Sequence, residues 1–132
     1  MDIRGRIVSV GLLVAAVIHL MPLMGVLGAT RLESLYGLDI SDPGLEILMR
    51  HRAVLFGLLG AFLVFAAFRR ALQGAALLVA AISIVSFLVL AWSVGDYNSA
   101  VGRVVRADLF ALAAVAIAGV AHLTRPRRRR WR

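Results

Sequence analysis

The sequence predicts an all-α protein, an integral membrane four-helix antiparallel bundle, and two observations support this prediction. Four long stretches contain no Asp, Glu, Arg or Lys, and they cover residues 7–29, 53–68, 71–94 and 109–123. Hydrophobic residues make up 61% of the chain and the mean hydropathy is +0.90, whereas soluble domains have about 45–50% apolar residues. A helix of about 20 apolar residues crosses the ~30 Å hydrocarbon core of a bilayer, so each stretch can form the centre of one span.

The first span is expected over residues 7–28 and contains His19 and Pro22. Proline has no amide hydrogen, so Pro22 should kink or loosen the helical turn that begins near Ile18. The arginines before this apolar run and the small residues after it resemble a signal peptide. Signal peptides have a shorter apolar region of about 7–15 residues, so we expect this segment to be retained as a span.

The link after the first span is expected to contain a short interfacial helix over residues 31–36, with Gly37 as its C-cap. Asp42 and Pro43 then predict a helix start, because Asp is a good N-cap and Pro suits the first helical position. The second span should run over residues 43–68. Its length of about 39 Å exceeds the hydrocarbon thickness, so its first turns should project from the membrane or the helix should tilt.

The third span is expected over residues 71–94 and the fourth over residues 104–123, after a polar turn at 95–102. The link between the second and third spans is short, which favours an antiparallel pair. Arg106 and Asp108 lie in the first turns of the fourth span. A transmembrane domain of residues 1–124 is therefore followed by a basic tail of residues 125–132.

The arginines predict the orientation of the bundle. If the spans alternate in direction, ten of the fifteen arginines lie on the side that carries both termini, and five lie on the other side. By the positive-inside rule, both termini are cytoplasmic in a multi-pass protein of the bacterial inner (cytoplasmic) membrane. The tail should contact anionic lipid headgroups through Arg125, Arg127, Arg128, Arg129, Arg130 and Arg132.

The placement of the arginines also indicates which kinds of partner to expect. The net charge of +8 is accounted for by the flanks of membrane spans, so a nucleic-acid partner is not expected. The lipid bilayer is the predicted partner, and other membrane subunits or further copies of the chain are additional candidates.

Ionisable residues at the edges of the spans form the candidate site. A charge at the centre of a membrane helix costs about 2.5–3.5 kcal/mol on insertion scales, so such residues pair or line a cavity. A pairing of Asp108 with Arg50 would join the fourth span to the second along their stripes of small residues. The cluster is either a structural ion pair with snorkelling arginines or a pocket for an anionic or carbonyl-bearing ligand. The candidate ligand-binding residues, near the outer face, are His19, Arg50, His51, Arg52, Arg106 and Asp108.

Catalytic and metal sites are not predicted. The chain has no cysteine, and it lacks the common nucleotide-binding, metalloprotease and hydrolase motifs. The imidazole of His19 can in principle bind haem iron or donate to a quinone carbonyl. His51 is nearer the surface and His122 is near the opposite face, so two histidines are not level and haem is not expected. Quinone remains open as a cofactor.

Residues 35–70 carry a family resemblance. They contain a Tyr-Gly pair before the Asp-Pro helix start, an arginine-rich helix entry of Arg50, His51 and Arg52, and a second span with spaced glycines. These features resemble small bacterial four-span proteins of the DoxX-like group. The resemblance implies a four-span fold in a bacterial membrane and, through the group's association with quinone-linked sulfur oxidation, proximity to quinone. It implies no catalytic residue.

The expected function is therefore non-enzymatic. The bundle should pack with partners or bind a small lipophile, a quinone or a lipid, through the polar cluster near its outer face. Two alternatives stay open: a subunit of a quinone-linked membrane oxidoreductase, and a small transporter or channel formed by oligomerisation.

Overall fold

The structure, a computed structural model, describes residues 3–125, and all regular secondary structure in that range is helical. Helix α1 (Ile3–Leu20) continues as a 3₁₀ helix (Met21–Leu27) and is followed by α2 (Ala29–Tyr36), α3 (Pro43–Ala67), α4 (Arg70–Val94) and α5 (Ser99–Leu123). Four segments are long and apolar enough to cross a membrane: Ile3–Leu27, Pro43–Ala67, Arg70–Val94 and Ser99–Leu123. The predicted all-α four-helix membrane fold is confirmed.

Local sequence signals set most of the helix ends. The winding changes from α to 3₁₀ at Met21, next to Pro22, because proline cannot donate to the carbonyl of the preceding turn. Gly37 ends α2 in the left-handed conformation, with a φ of 62°, and its amide donates to the carbonyl of Glu33 over 2.7 Å. Asp42 caps α3 by accepting from the amide of Leu45 over 2.7 Å. These three predictions are confirmed.

The fourth long helix begins before residue 104, where the fourth span was expected to begin. Helix α5 begins at Ser99, where the Asn98 side chain accepts a hydrogen bond of 2.9 Å from the Val101 amide. Asn is among the preferred N-caps, so the segment assigned to a polar turn already contains the first turn of the helix. Arg103 and Asp108 consequently lie one turn or more inside α5.

The four long helices occupy the corners of a square. Both α1 and α4 pack against α3 and against α5, and α1 also touches α4 across the diagonal. Within residues 3–125, α3 and α5 lie at opposite corners and are not backbone neighbours. We call the end of the bundle that carries Ile3 and Leu123 the termini end, and the end that carries α2 the opposite end.

Small residues let α1 approach its neighbours closely. A Cβ atom on Gly11 would lie only 2.5 Å from the Cβ of Ala118 on α5. On α3, Cβ atoms at Gly57 and Gly60 would lie 2.5 Å and 2.6 Å from the side chains of Leu23 and Leu20. The absence of a side chain at these glycines therefore leaves room for the neighbouring helix, as expected where membrane helices associate by close packing.

Small residues dominate the interior and large apolar residues cover the outside. Ala15, Ala80 and Ala118 are fully buried. Many Leu, Ile and Val side chains face outward, among them Leu58 at 64% exposed and Ile117 at 62% exposed. Water would not tolerate so large an apolar surface, whereas lipid tails are as apolar as these side chains.

A buried polar cluster joins four helices at the termini end. The Ser9 hydroxyl and the Gln73 amide donate to the carbonyl of Ala67 over 2.7 Å and 3.0 Å. Arg125 donates to Gln73 Oε1 over 2.6 Å, and Arg4 donates to the carbonyl of Thr124. Arg125 thus contacts Gln73, and its predicted contact with the membrane surface stays a prediction. The remaining tail arginines, Arg127, Arg128, Arg129, Arg130 and Arg132, lie outside the described residues.

Candidate ligand pocket

Helix α2 lies across the opposite end of the bundle. Leu32 is fully buried and packs so closely on the 3₁₀ helix that a Cβ atom on Gly25 would lie 2.6 Å from its Cδ2. The Asn98 side chain donates to the carbonyls of Tyr36 and Gly37 over 2.8 Å and 3.1 Å. One residue therefore both caps α5 and attaches the end of α2 to it.

A cavity of about 240 Å³ lies beneath α2, between α3 and α5. It exists because these helices stand at opposite corners and their backbones do not approach each other closely. Its wall is mainly apolar and aromatic, with polar groups from α2, α3 and α5. The lining residues are Ile18, Met21, Pro22, Ser34, Leu35, Tyr36, Arg52, Phe56, Phe87, Ala100, Arg103, Val104, Ala107 and Asp108.

Arg52 is the cation contributed by α3 to this wall. Its Nη1 donates to the Tyr36 hydroxyl over 2.8 Å. Its guanidinium carbon lies 4.7 Å from the centre of the Phe56 ring and 5.3 Å from that of the Tyr36 ring. A hydrogen bond and two aromatic faces thus hold the side chain, an arrangement that suits the planar guanidinium group.

Asp108 is the acid contributed by α5 and is 8% exposed. The Arg52 charge acts on it, but the two side chains form no ion pair. No group between residues 3 and 125 donates a hydrogen bond to its carboxylate. The fully buried side-chain atoms without a partner in this range belong to His122 and Arg125, not to Asp108, so the Asp108 carboxylate is accessible from the cavity and can accept a hydrogen bond from a molecule inside it.

His19 lies outside the cavity wall and is 2% exposed. Its Nδ1 is 2.8 Å from the Ala15 carbonyl oxygen, and its Nε2 is 3.1 Å from Ser83 Oγ. Since a carbonyl only accepts, Nδ1 carries the proton and Nε2 accepts from the Ser83 hydroxyl. The ring stacks on Phe56 at 5.5 Å. His19 therefore joins α1 to α4 and supports Phe56 from behind, and both of its nitrogens are occupied.

The three other predicted site residues are exposed and do not line the cavity: Arg50, His51 and Arg106. The predicted pairing of Asp108 with Arg50 is wrong. Arg50 forms an ion pair of 3.2 Å with Glu46, one turn away on α3, and donates to the Val26 carbonyl over 3.0 Å. Arg50 points away from the cavity that Asp108 lines, so the two side chains do not meet.

Tyr36, Phe56 and Arg103 line the cavity but were not predicted to do so. A sequence signal was present for Phe56. Arg52 and Phe56 are four residues apart, the spacing at which side chains meet on a helix. Tyr36 ends the short helix that covers the bundle, but its contact with Arg52 depends on how α2 folds back.

Known proteins provide no assignment. Comparison of the chain with protein-family models, with curated proteins and with solved structures found no match. The pocket is therefore interpreted from its own geometry.

The polar groups on the wall define the chemistry that the cavity offers. Arg52, Arg103 and the Tyr36 hydroxyl are hydrogen-bond donors, and Asp108 is an acceptor. Phe56 and Phe87 supply flat aromatic surface. Within residues 3–125, no group of three His, Asp or Glu side chains is arranged to hold a metal ion. A few convergent polar groups on an apolar wall are typical of sites for small organic molecules.

Proposed function

We propose that this protein is a non-enzymatic membrane protein that binds a small lipophile, a quinone or a lipid, in the cavity between α3 and α5. The observation that carries the proposal is the cavity of about 240 Å³ with Arg52 and Asp108 on an otherwise largely apolar wall. A volume of this order holds a ring or a head group, and the tail of a larger lipophile would stay in the bilayer. Ionisable residues inside membrane spans commonly mark a binding site.

The proposed setting follows from the arginines. With ten of them on the termini side, both termini are cytoplasmic and the cavity opens near the outer surface of a bacterial inner membrane. The likeness of residues 35–70 to DoxX-like proteins supports the same setting and adds quinone as one candidate ligand.

The test is mass spectrometry of small lipophiles that remain bound after purification in a mild detergent. Ala107 lines the cavity, so Ala107→Leu should fill it without removing a charge. Arg52→Gln removes the cation but keeps hydrogen-bond donors. We expect wild type to carry a defined lipophile and both variants to lose at least nine-tenths of it.

Arg50→Gln is the matched control. It removes an arginine from the same helix, two positions earlier, whose side chain is exposed and paired with Glu46. This variant should keep the bound lipophile at the wild-type level. A wild-type protein that carries only a sample of bulk membrane lipid, or an Ala107→Leu protein that keeps its ligand, would refute the proposal.

A further inference from the structure

Asp108 differs from the other buried polar side chains of the described residues. Ser9, His19 and Gln73 are also buried, and each has hydrogen-bond partners within the bundle. Asp108 is the most exposed of the four at 8% and lines the cavity, and it has no hydrogen-bond partner among residues 3–125. The cavity is the one place from which a small molecule can supply that partner.

The charges around the cavity restrict the head group of the ligand. The wall carries charges of both signs, Arg52 and Arg103 against Asp108. An anionic head attracted by the arginines would also lie beside Asp108, and a cationic head attracted by Asp108 would also lie beside the arginines, so a neutral head avoids repulsion from either sign. A neutral head that only accepts hydrogen bonds, such as a ketone or an ether, would leave Asp108 without a donor.

We infer that the head group is a neutral hydroxyl, which donates to Asp108 and accepts from Arg52 or Tyr36. A hydroxyl has one donor and two acceptor sites, so it can bridge the two sides of the cavity that the protein itself leaves unjoined. The aromatic side chains of Phe56 and Phe87 favour a hydroxyl carried on a flat ring, because aromatic rings gain from stacked or edge-on contacts. The ligand class is thus a phenol with an apolar tail. This inference rests on the proposed function and restricts its ligand, because an oxidised quinone only accepts hydrogen bonds and is therefore excluded, whereas its reduced form carries the required hydroxyl.

The experiment compares two probes that differ in the hydrogen-bond donor and in one methyl group. Para-octylphenol carries a hydroxyl, and para-octylanisole is its methyl ether, which keeps the ring, the tail and the acceptor oxygen. Binding is measured by titration calorimetry in one detergent, with partitioning into protein-free micelles subtracted. We expect wild type to bind the phenol at least tenfold more tightly than the ether.

Variants locate the preference at Asp108. Asp108→Leu removes both carboxylate oxygens. This variant should therefore bind the phenol and the ether with about equal affinity. Asp108→Asn keeps an acceptor oxygen and should keep part of the preference. Asp39→Asn removes an exposed acid near the same end and should leave the ratio unchanged. The difference in micelle partitioning between the probes is the same for every variant, so it cancels when the ratio is compared between variants and wild type.

The outcomes distinguish the hydroxyl inference from the proposed binding of a lipophile. If both probes bind wild type equally, or the ether binds more tightly, the hydroxyl inference is wrong while lipophile binding stands. The same holds if Asp108→Leu keeps the full preference. If neither probe binds and no lipophile is carried by the purified protein, the proposed function fails and the inference fails with it.

Discussion

At the residue scale, two arginines on α3 have different roles although they are two positions apart. Successive residues in an α-helix are rotated by about 100°, so Arg50 and Arg52 point to nearly opposite sides. Arg50 meets Glu46 on its own helix and is exposed, whereas Arg52 is half-buried and contacts Tyr36 and Phe56. Orientation around the helix, more than the type of residue, determines which arginine reaches the cavity.

The hydrogen bond between Arg52 and Tyr36 can be tested by Tyr36→Phe. The hydroxyl accepts from the guanidinium over 2.8 Å, and bonds to charged groups contribute about 1.5–3 kcal/mol. Because Arg52 is partly exposed, we expect a loss of about 1–2 kcal/mol in the free energy of unfolding. Unfolding in mixed detergent micelles measures it.

Tyr97→Phe is the control for this substitution. Tyr97 is 40% exposed, so loss of its hydroxyl should change stability by less than about 0.5 kcal/mol. Equal effects of the two substitutions would show that the Arg52 contact contributes no stability.

At the element scale, glycine and alanine determine how closely the helices approach. Helix α1 lies against α5 where Gly11 faces Ala114 and Ala118, and against α3 where Gly60 receives Leu20. In lipid the hydrophobic effect between helices is absent, so dispersion contacts at short range contribute most of the attraction. A single added methyl group at such a position therefore separates two helices.

Gly11→Ala tests this close approach. The new Cβ atom would lie 2.5 Å from the Cβ of Ala118 and 2.9 Å from the backbone oxygen of Ala114. Overpacking of this kind costs about 1–3 kcal/mol, and we expect that loss in the free energy of unfolding. Adding Ala118→Gly should recover part of it.

Gly119→Ala is the matched control, because no atom outside its own helix lies within 4 Å of the added Cβ. Alanine has a better helix propensity than glycine, so this variant should be at least as stable as wild type. If Gly11→Ala is as stable as Gly119→Ala, α1 and α5 accommodate the added methyl group at no cost, and the close approach at Gly11 does not contribute to stability.

At the scale of the whole molecule, hydrogen bonds at both ends fasten the bundle. Gln73 and Arg125 join helices at the termini end, and Asn98 attaches α2 at the opposite end. Between these ends the contacts are almost wholly apolar. The cavity lies beneath α2, in the gap between α3 and α5.

The proposed orientation of the bundle can be tested by labelling single introduced cysteines. The chain has no cysteine, so a single introduced cysteine is the only thiol. Ser41→Cys, in the link before α3, should react with a membrane-impermeant maleimide in intact spheroplasts. Thr124→Cys should react only after the membrane is permeabilised, because the positive-inside rule places it in the cytoplasm. The reverse pattern would overturn the orientation.

The sequence anticipated the fold better than the site, and particular residues show why. Asp42, Gly37 and Pro22 act on their own turns, so their effects were predictable from their neighbours. The contacts of Arg52 with Tyr36 and of His19 with Ser83 join residues 16 and 64 positions apart. Nothing in the local pattern indicates such pairs.

By itself the sequence determined the four spans, most of their ends and the all-α class, since hydrophobic length and capping are properties of short segments. Only the tertiary structure decided that α3 and α5 stand at opposite corners. That arrangement separates Asp108 from Arg50, opens the cavity and places Arg52 on its wall. The physical reason is that lipid-exposed and buried faces of a membrane helix are both apolar, so composition alone does not indicate which faces meet.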